Sequence, residues 1–199
     1  MRKLVAVESL TLDGVMQAPG RPDEDTRGGF EHGGWAVPYA DQAMGRAMGE
    51  RMAQRGSIVL GRRTYEDFAG YWPQQEDNPY TEALNRAQKY VASTTLSEPL
   101  PWENSTLLEG DAVDDLGALK EADGGNLTVI GSGELVRSLI TRGLIDEYLL
   151  LIHPLVLGSG QRFFPDGAFA PLELVDSLTT TTGVVIATYR PAQAAGAGS

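Results

Sequence analysis

The sequence predicts a single α/β domain of three layers, with a twisted mixed sheet between helices. Three observations lead there. Short apolar runs of strand length alternate with helix-length stretches, two of these alternations turn on glycines, and the last two strand-like runs follow one another directly. The 199 residues fit one domain, and a chain of this size buries about two-thirds of its surface without needing staples.

Taken in order, Leu4-Val5-Ala6-Val7 is a short buried strand. Residues 11–37 follow with little periodicity and with Asp13-Gly14, Pro19-Gly20, Gly28-Gly29 and Gly33-Gly34, which reads as a long mobile loop, a lid. Pro38 opens a helical stretch whose Met44, Met48 and Met52 recur every four residues as a core stripe. Ser57 to Leu60 is a strand ending at Gly61, and a helix begins at Arg63 with Thr64 and Asp67 in capping-box spacing. A short helix covers Thr81 to Ala87, strands cover Lys89 to Ala92 and Thr106 to Leu108, and a helix covers Val113 to Glu121.

The same logic returns in the second half: strand Leu127 to Ile130, turn Gly131-Ser132-Gly133, helix Glu134 to Thr141, stop at Gly143. Ile145 to Ile152 is nearly all apolar, as a strand buried on both faces should be. Leu172 to Leu178 and Gly183 to Tyr189 form a closing antiparallel pair. The domain spans 1–191, and 192–199 is expected to be a disordered tail.

Sixteen basic against 27 acidic residues give a net charge of −11, which repels nucleic acid and anionic bilayers. A small anionic ligand stays compatible, because local donors outweigh distant charge screened within about 8 Å. Zero cysteines exclude disulfides, thiolate metal sites and a cysteine nucleophile. No apolar run approaches 20 residues, and Met1-Arg2-Lys3 leads straight into a strand, so a soluble, cytoplasmic protein is expected.

Two strand-turn-helix units place glycine and hydroxyl residues at a helix start, where unpaired amides and the helix dipole favour an anion. In Gly61-Arg62-Arg63-Thr64 two guanidinium forks are added, suited to phosphate or, alternatively, to surface ion pairs. In Gly131-Ser132-Gly133 two positions lack a Cβ, although the third glycine of the dinucleotide fingerprint is missing. Ser93-Thr94-Thr95 ends another strand, either as phosphate donors or as a plain turn.

Together with Leu144-Ile145-Asp146-Glu147 and Pro154-Leu155-Val156-Leu157-Gly158-Ser159-Gly160, these segments resemble the dihydrofolate-reductase-like family. The resemblance is to its standalone branch related to the riboflavin-biosynthesis reductase (RibD C-terminal) domain, and it spans about Leu4 to Pro191. Val59 to Glu66 is similar to the family's NADPH-holding strand and helix, and Thr128 to Gly133 to its glycine turn. The resemblance implies a dihydrofolate reductase-like fold and NADPH as cofactor. It assigns Arg62 and Thr94, with Ser93 beside them, to the 2′-phosphate; Arg63 and Thr64, next to Gly61, to the pyrophosphate; Ile130, Gly131, Ser132, Gly133 and Leu135 to the far end; and Ala6 and Val7 to the nicotinamide. Relatives often carry two adjacent glycines joined by a cis bond where this chain has Gly131-Ser132.

Hydride transfer needs a proton on the neighbouring heteroatom. Trp35, Pro38 and Asp41 resemble the family's substrate-side tryptophan, proline and helix-borne carboxylate, although Asp41 sits one residue later than a gapless alignment places it. Asp41 is therefore expected to anchor substrate or relay the proton, or else to favour a helix start as a first-turn acid. Asp13 reads as a turn residue, Asp146 and Glu147 as capping or pairing groups, and Trp72 and Tyr71 as packing residues. His32 and His153 lack metal-pair spacing, and His153 reads as structural.

The expected activity is NADPH-dependent reduction of a small heterocycle, pterin-like or ribosylaminopyrimidine-like. True dihydrofolate reduction and a noncatalytic NADP(H)-binding or sensor role are the alternatives. A homodimer is expected, and a cysteine-liganded zinc deaminase unit is excluded.

Overall fold

The computed structural model describes residues 1–52, 56–76 and 79–192. Its elements are β1 (Leu4–Thr11), α1 (Gln42–Met52), β2 (Ser57–Gly61), α2 (Arg62–Tyr71), α3 (Pro79–Arg86), β3 (Lys89–Ala92) and β4 (Ser105–Leu108), followed by α4 (Ala112–Glu121), β5 (Leu127–Ile130), α5 (Gly133–Thr141), β6 (Glu147–His153), β7 (Leu172–Thr179) and β8 (Val185–Pro191). One eight-stranded sheet has the order β4-β3-β2-β5-β1-β6-β8-β7. The first six are parallel, and β8 and β7 close the sheet by antiparallel pairing. Register brings Gly61 level with Ala92 and Val7 level with Ile130, so the turns after β2, β3 and β5 open on one edge.

Strand alternation sorts β1 between two cores. Leu4, Ala6 and Leu10 join Leu127, Val129, Val136, Leu139 and Phe163; Val5 and Val7 pack on the opposite face with Leu149, Leu151, Ile186 and Ala47 of α1. β1 runs to Thr11, beyond the expected Val7, because β6 continues to pair with it as far as His153. Asp146 stays outside β6 because its carboxylate accepts the Leu4 amide at 2.7 Å and pairs with Lys120 at 2.7 Å.

Helix ends follow local chemistry. α1 starts at Gln42, since Val37–Tyr39 forms a 3-10 turn and Asp41 accepts the Met44 amide at 2.7 Å. Met44 and Met48 pack against the α1-side core, while the Met52 side chain lies outside the described residues. α5 stops where Gly143 adopts φ 64°, with Leu144 N–H donating to Leu139 O at 3.0 Å. Lys89, fully buried, donates its ammonium to Leu84 O and Ala87 O at 2.8 Å each, closing the C-terminus of α3; burial pushes it down to about 8.

The segment expected to be a lid carries its own small core of Val15, Ala18, Phe30 and Trp35, packed on Leu155 and Leu157. Its backbone is stitched to the loop after β6: Leu12 N to Leu155 O at 2.9 Å, Met16 N to Gln161 O at 2.9 Å and Phe163 N to Gly14 O at 3.0 Å. Asp13 pins the same loop by accepting the Gly158 amide at 2.8 Å. Gly160 (φ 117°) lies so close that a Cβ there would meet Val15 at 2.7 Å and Phe30 at 2.8 Å. Residues 193–199, most of the expected tail, lie outside the described residues.

Candidate functional site

Two β-α junctions meet face to face at the edge of the sheet. The Gly61 amide donates to Ser132 Oγ at 2.9 Å, and the Ser132 amide donates to Thr64 Oγ1 at 3.1 Å. Thr64 thus serves the opposite turn rather than a capping box; Gly61 is the N-cap, and Asp67 instead pairs with Arg21. Neither α2 nor α5 has a side-chain cap, whereas α4 is capped by Asp111, which accepts Val113 N at 2.9 Å and Asp114 N at 3.2 Å. Both of the helix starts that face each other lack a capping side chain.

Small residues make that approach possible. Gly131 and Ser132 are both left-handed (φ 56° and 58°), and the cis bond of relatives is not formed between them. A Cβ on Gly131 would sit 3.3 Å from Thr64 Cγ2, and one on Gly133 would sit 2.7 Å from Met16 Sδ.

A groove of about 530 Å³ runs over these turns, and Gly61, Arg62, Arg63, Thr64, Ser93, Thr94, Ser132, Gly133 and Leu135 all line it. Arg62 pairs with Glu66 at 2.8 Å, and Arg63 with Glu134 at 2.8 Å. Arg63, together with Arg27, holds the Glu134 carboxyl below the usual carboxylate range. Ser93 Oγ accepts Thr95 N at 3.1 Å and Leu96 N at 3.0 Å, so it shapes its own turn.

A larger cavity of about 780 Å³ lies beside the groove, and Arg63, Thr64, Ser132 and Gly133 line both. Val7, Ile130 and Gly131 line the larger space. Ala6, expected at the nicotinamide, lines neither, because strand alternation sends its side chain into the α5-side core. Gly158, Ser159 and Gly160 also stay outside both.

Neither of the two substrate-side candidates lines the cavity or the groove. Trp35 spends its indole N–H on Gln17 O at 2.7 Å and packs edge-on to His153, away from the cavity. Asp41 caps α1 and accepts Thr181 N at 2.7 Å and Thr181 Oγ1 at 2.6 Å. These bonds, the Thr181 hydroxyl foremost, hold its carboxyl below the ordinary value, and it does not line the cavity. A well-solvated, ionised cap is no reservoir of protons at neutral pH. His153 is structural: it is buried, bonded at Nδ1 to Leu151 O at 2.9 Å, and burial lowers its pKa.

The structure instead brings Glu8 to the cavity wall. Glu8 is 5% exposed; Oε1 accepts the Ser9 amide at 3.0 Å, and Oε2 is shielded from solvent with no partner. Burial chiefly pushes it up to about 8, with the Glu24 carboxyl adding to the rise. Glu24, itself raised by burial, accepts Gly20 N at 2.6 Å and Arg21 N at 3.1 Å. The sequence held a signal for Glu8: an acid on the inward-facing register Leu4, Ala6, Glu8, Leu10 of an apolar strand. No group of three or more acidic or histidine side chains is arranged to hold a metal among the described residues, and no described helix is long and apolar enough to cross a membrane.

This sheet, with its facing βα turns, is the dihydrofolate reductase-like architecture of reductase-type enzymes. Dihydrofolate reductase of Enterococcus faecalis, solved as a complex with NADP(H), superposes with a TM-score of 0.59 at 16% identity, covering 96% of this chain and 97% of that one. A Shewanella sp. PV-4 protein provisionally named for riboflavin biosynthesis superposes at 0.64 with 22% identity (96% and 99% covered). A pyrimidine reductase-like protein of Corynebacterium diphtheriae does so at 0.59 with 14% identity (97% and 93%). The chain belongs to the RibD C-terminal domain family, whose model matches residues 2–186. It is also 29% identical over 196 residues to the uncharacterized protein YyaP of Bacillus subtilis strain 168, covering 94% of each.

Proposed function

We propose that the protein is an NADPH-dependent reductase of a small heterocyclic substrate, pterin-like or ribosylaminopyrimidine-like. The observation that carries this reading is the adjacency of two spaces. The groove with two uncapped helix starts and two arginines shares Ser132 and Gly133 as a wall with the larger cavity. That donor set fits a dinucleotide: amides of α2 and α5 for the pyrophosphate, Arg62 with Thr94 for the 2′-phosphate, and Arg63 with Thr64 between them.

Bound there, NADPH supplies a hydride. The chain's part is to hold and to exclude. Arg62 and Arg63 exchange exposed carboxylate partners for phosphate, at small cost because such surface pairs contribute about 0–1 kcal/mol. Met16 against Gly133 and Val7 beside Ile130 line the larger cavity.

Fluorescence titration with NADPH and NADH tests the reading: NADPH is expected to bind more tightly, and equal affinities would refute it. Oxidation of NADPH in the presence of dihydrofolate, or of a ribosylaminopyrimidine, then separates the substrate readings. Tight binding with no oxidation by a panel of pterins and flavin precursors identifies a noncatalytic binder.

A further inference from the structure

Among the described residues, three arginines line the groove, and Arg27 alone comes from outside the two βα turns. It belongs to the segment between β1 and α1, and it lines the cavity as well. The segment's own bonds fix it there. Gln17 Nε2 donates to Asp25 O at 3.1 Å and to Arg27 O at 3.0 Å, while Gln17 Oε1 accepts the Gln161 amide at 3.0 Å. Gly28 and Gly29, both left-handed (φ 67° and 73°), turn the chain away directly afterwards.

Asp25 braces the guanidinium along one edge, accepting Nε on Oδ1 at 2.8 Å and Nη2 on Oδ2 at 2.5 Å. A guanidinium is a rigid plane of five N–H donors, so this fork leaves the Nη1 donors aimed elsewhere. Nη1 reaches Glu134 Oε1 at 3.3 Å, the same oxygen that Arg63 Nη1 reaches at 2.8 Å. Two cations from distant segments thus converge on one oxygen in the first turn of α5, a helix whose start has no capping side chain. That is the charge pattern of an anion site, and its present occupant is an acidic side chain of the chain itself. The occupant is loosely kept: the Glu134 side chain is 66% exposed, and 3.3 Å is long for a charge-assisted bond.

Resting on the reductase reading, we infer that Arg27 is a ligand of the dinucleotide's diphosphate, joining Arg63 there as Glu134 gives up its place between them. Because Asp25 stays bound to it, Arg27 contributes directed N–H donors more than net charge. The diphosphate is common to NADPH and NADH, so Arg27 adds affinity for both and selectivity for neither. It also makes the segment after β1 part of the cofactor's grip.

ADP, which carries a diphosphate and no 2′-phosphate, is the probe, with adenosine as the control; calorimetric titration uses the whole chain. The parent should bind ADP more tightly than adenosine. Arg27→Gln should weaken ADP, NADPH and NADH by a similar factor, about tenfold, whereas Arg62→Gln should leave ADP and NADH unchanged. If Arg27→Gln does not fold, phenylglyoxal modification of the unaltered protein, mapped by peptide mass spectrometry, decides: ADP should protect Arg27 but not Arg46, an exposed residue of α1. Unchanged ADP binding by Arg27→Gln, a loss confined to NADPH, or Arg27 modified equally fast with and without ADP overturns the inference. The two readings fail separately. ADP binding that depends on Arg27 in a protein binding neither dinucleotide removes the reductase reading and keeps the diphosphate ligand. A preference for NADPH with Arg27→Gln indifferent to ADP does the reverse.

Discussion

The groove over the strand ends and the cavity beside it share a wall but handle charge in opposite ways. In the groove, arginines on α2 are exposed and neutralised by exposed carboxylates, Glu66 and Glu134, which can be exchanged for a ligand. On the cavity wall, Glu8 is buried, belongs to none of the described ion pairs, and is pushed up to about 8 chiefly because water has been removed from it. Solvent makes the first region adaptable, and its exclusion makes the second one poised.

The sharpest way to break this comparison is through pH. Glu8 has its folded pKa raised to about 8 from 4.5, so its stabilising proton uptake is fully present below about 4.5 and is lost as pH rises through about 8. The unfolding free energy of the parent, from urea titration, should therefore fall relative to Glu8→Gln across that window, by on the order of 5 kcal/mol. Parallel pH profiles would mean that Glu8 is ionised like any surface acid.

Next in size, Gly160→Ala tests whether the cavity depends on the docked segment. The left-handed φ and contacts of 2.7 and 2.8 Å to Val15 and Phe30 leave no room. Thermal or urea unfolding should show a loss of about 2–3 kcal/mol. Gly131→Ala probes the groove's turn, where the φ of 56° should cost about 1–2 kcal/mol and blunt NADPH binding with it.

Arg62→Gln should lower NADPH affinity about tenfold and leave NADH nearly unchanged, which fluorescence titration reads directly. The smallest change expected is a gain: Glu134→Gln frees Arg63, tightening NADPH by roughly two- to threefold. Asp41→Ala, by contrast, should leave cofactor binding unchanged and shift only the unfolding midpoint, since its carboxylate caps α1 and holds Thr181.

The legible parts of this protein lie within a few residues of each other. The apolar runs of β2 and β5, the glycines after them and the stop at Gly143 act through local backbone preferences, and the structure keeps them nearly where the sequence places them. The groove residues of segments 61–64 and 131–135 follow for the same reason, each set belonging to a βα turn with its own glycines, whereas Ser93 and Thr94 lie in the glycine-free loop between β3 and β4. Helix starts were less readable. Thr64 and Asp67 have the spacing of a capping box, yet each has a better partner more than forty residues away, in Ser132 and Arg21 respectively.

The partners of the two substrate-side candidates were not legible, because they lie far along the chain. Nothing near Asp41 announces Thr181, 140 residues onward, and nothing near Trp35 announces that Gln17 O takes its N–H. Glu8 was visible as an acid in an apolar register, but its meaning depends on burial.

By itself, then, the sequence determined the alternation of strands and helices, the absence of thiol chemistry, the acidic surface and the two turns able to cradle an anion. These follow from composition, period and glycine, which act along the chain. The tertiary structure decided that the turns face each other, that Asp41 is a cap and that Glu8 is a buried acid. Burial and partnership are properties of the space between segments, and a carboxyl's proton affinity is set by how much water and which charges that space admits.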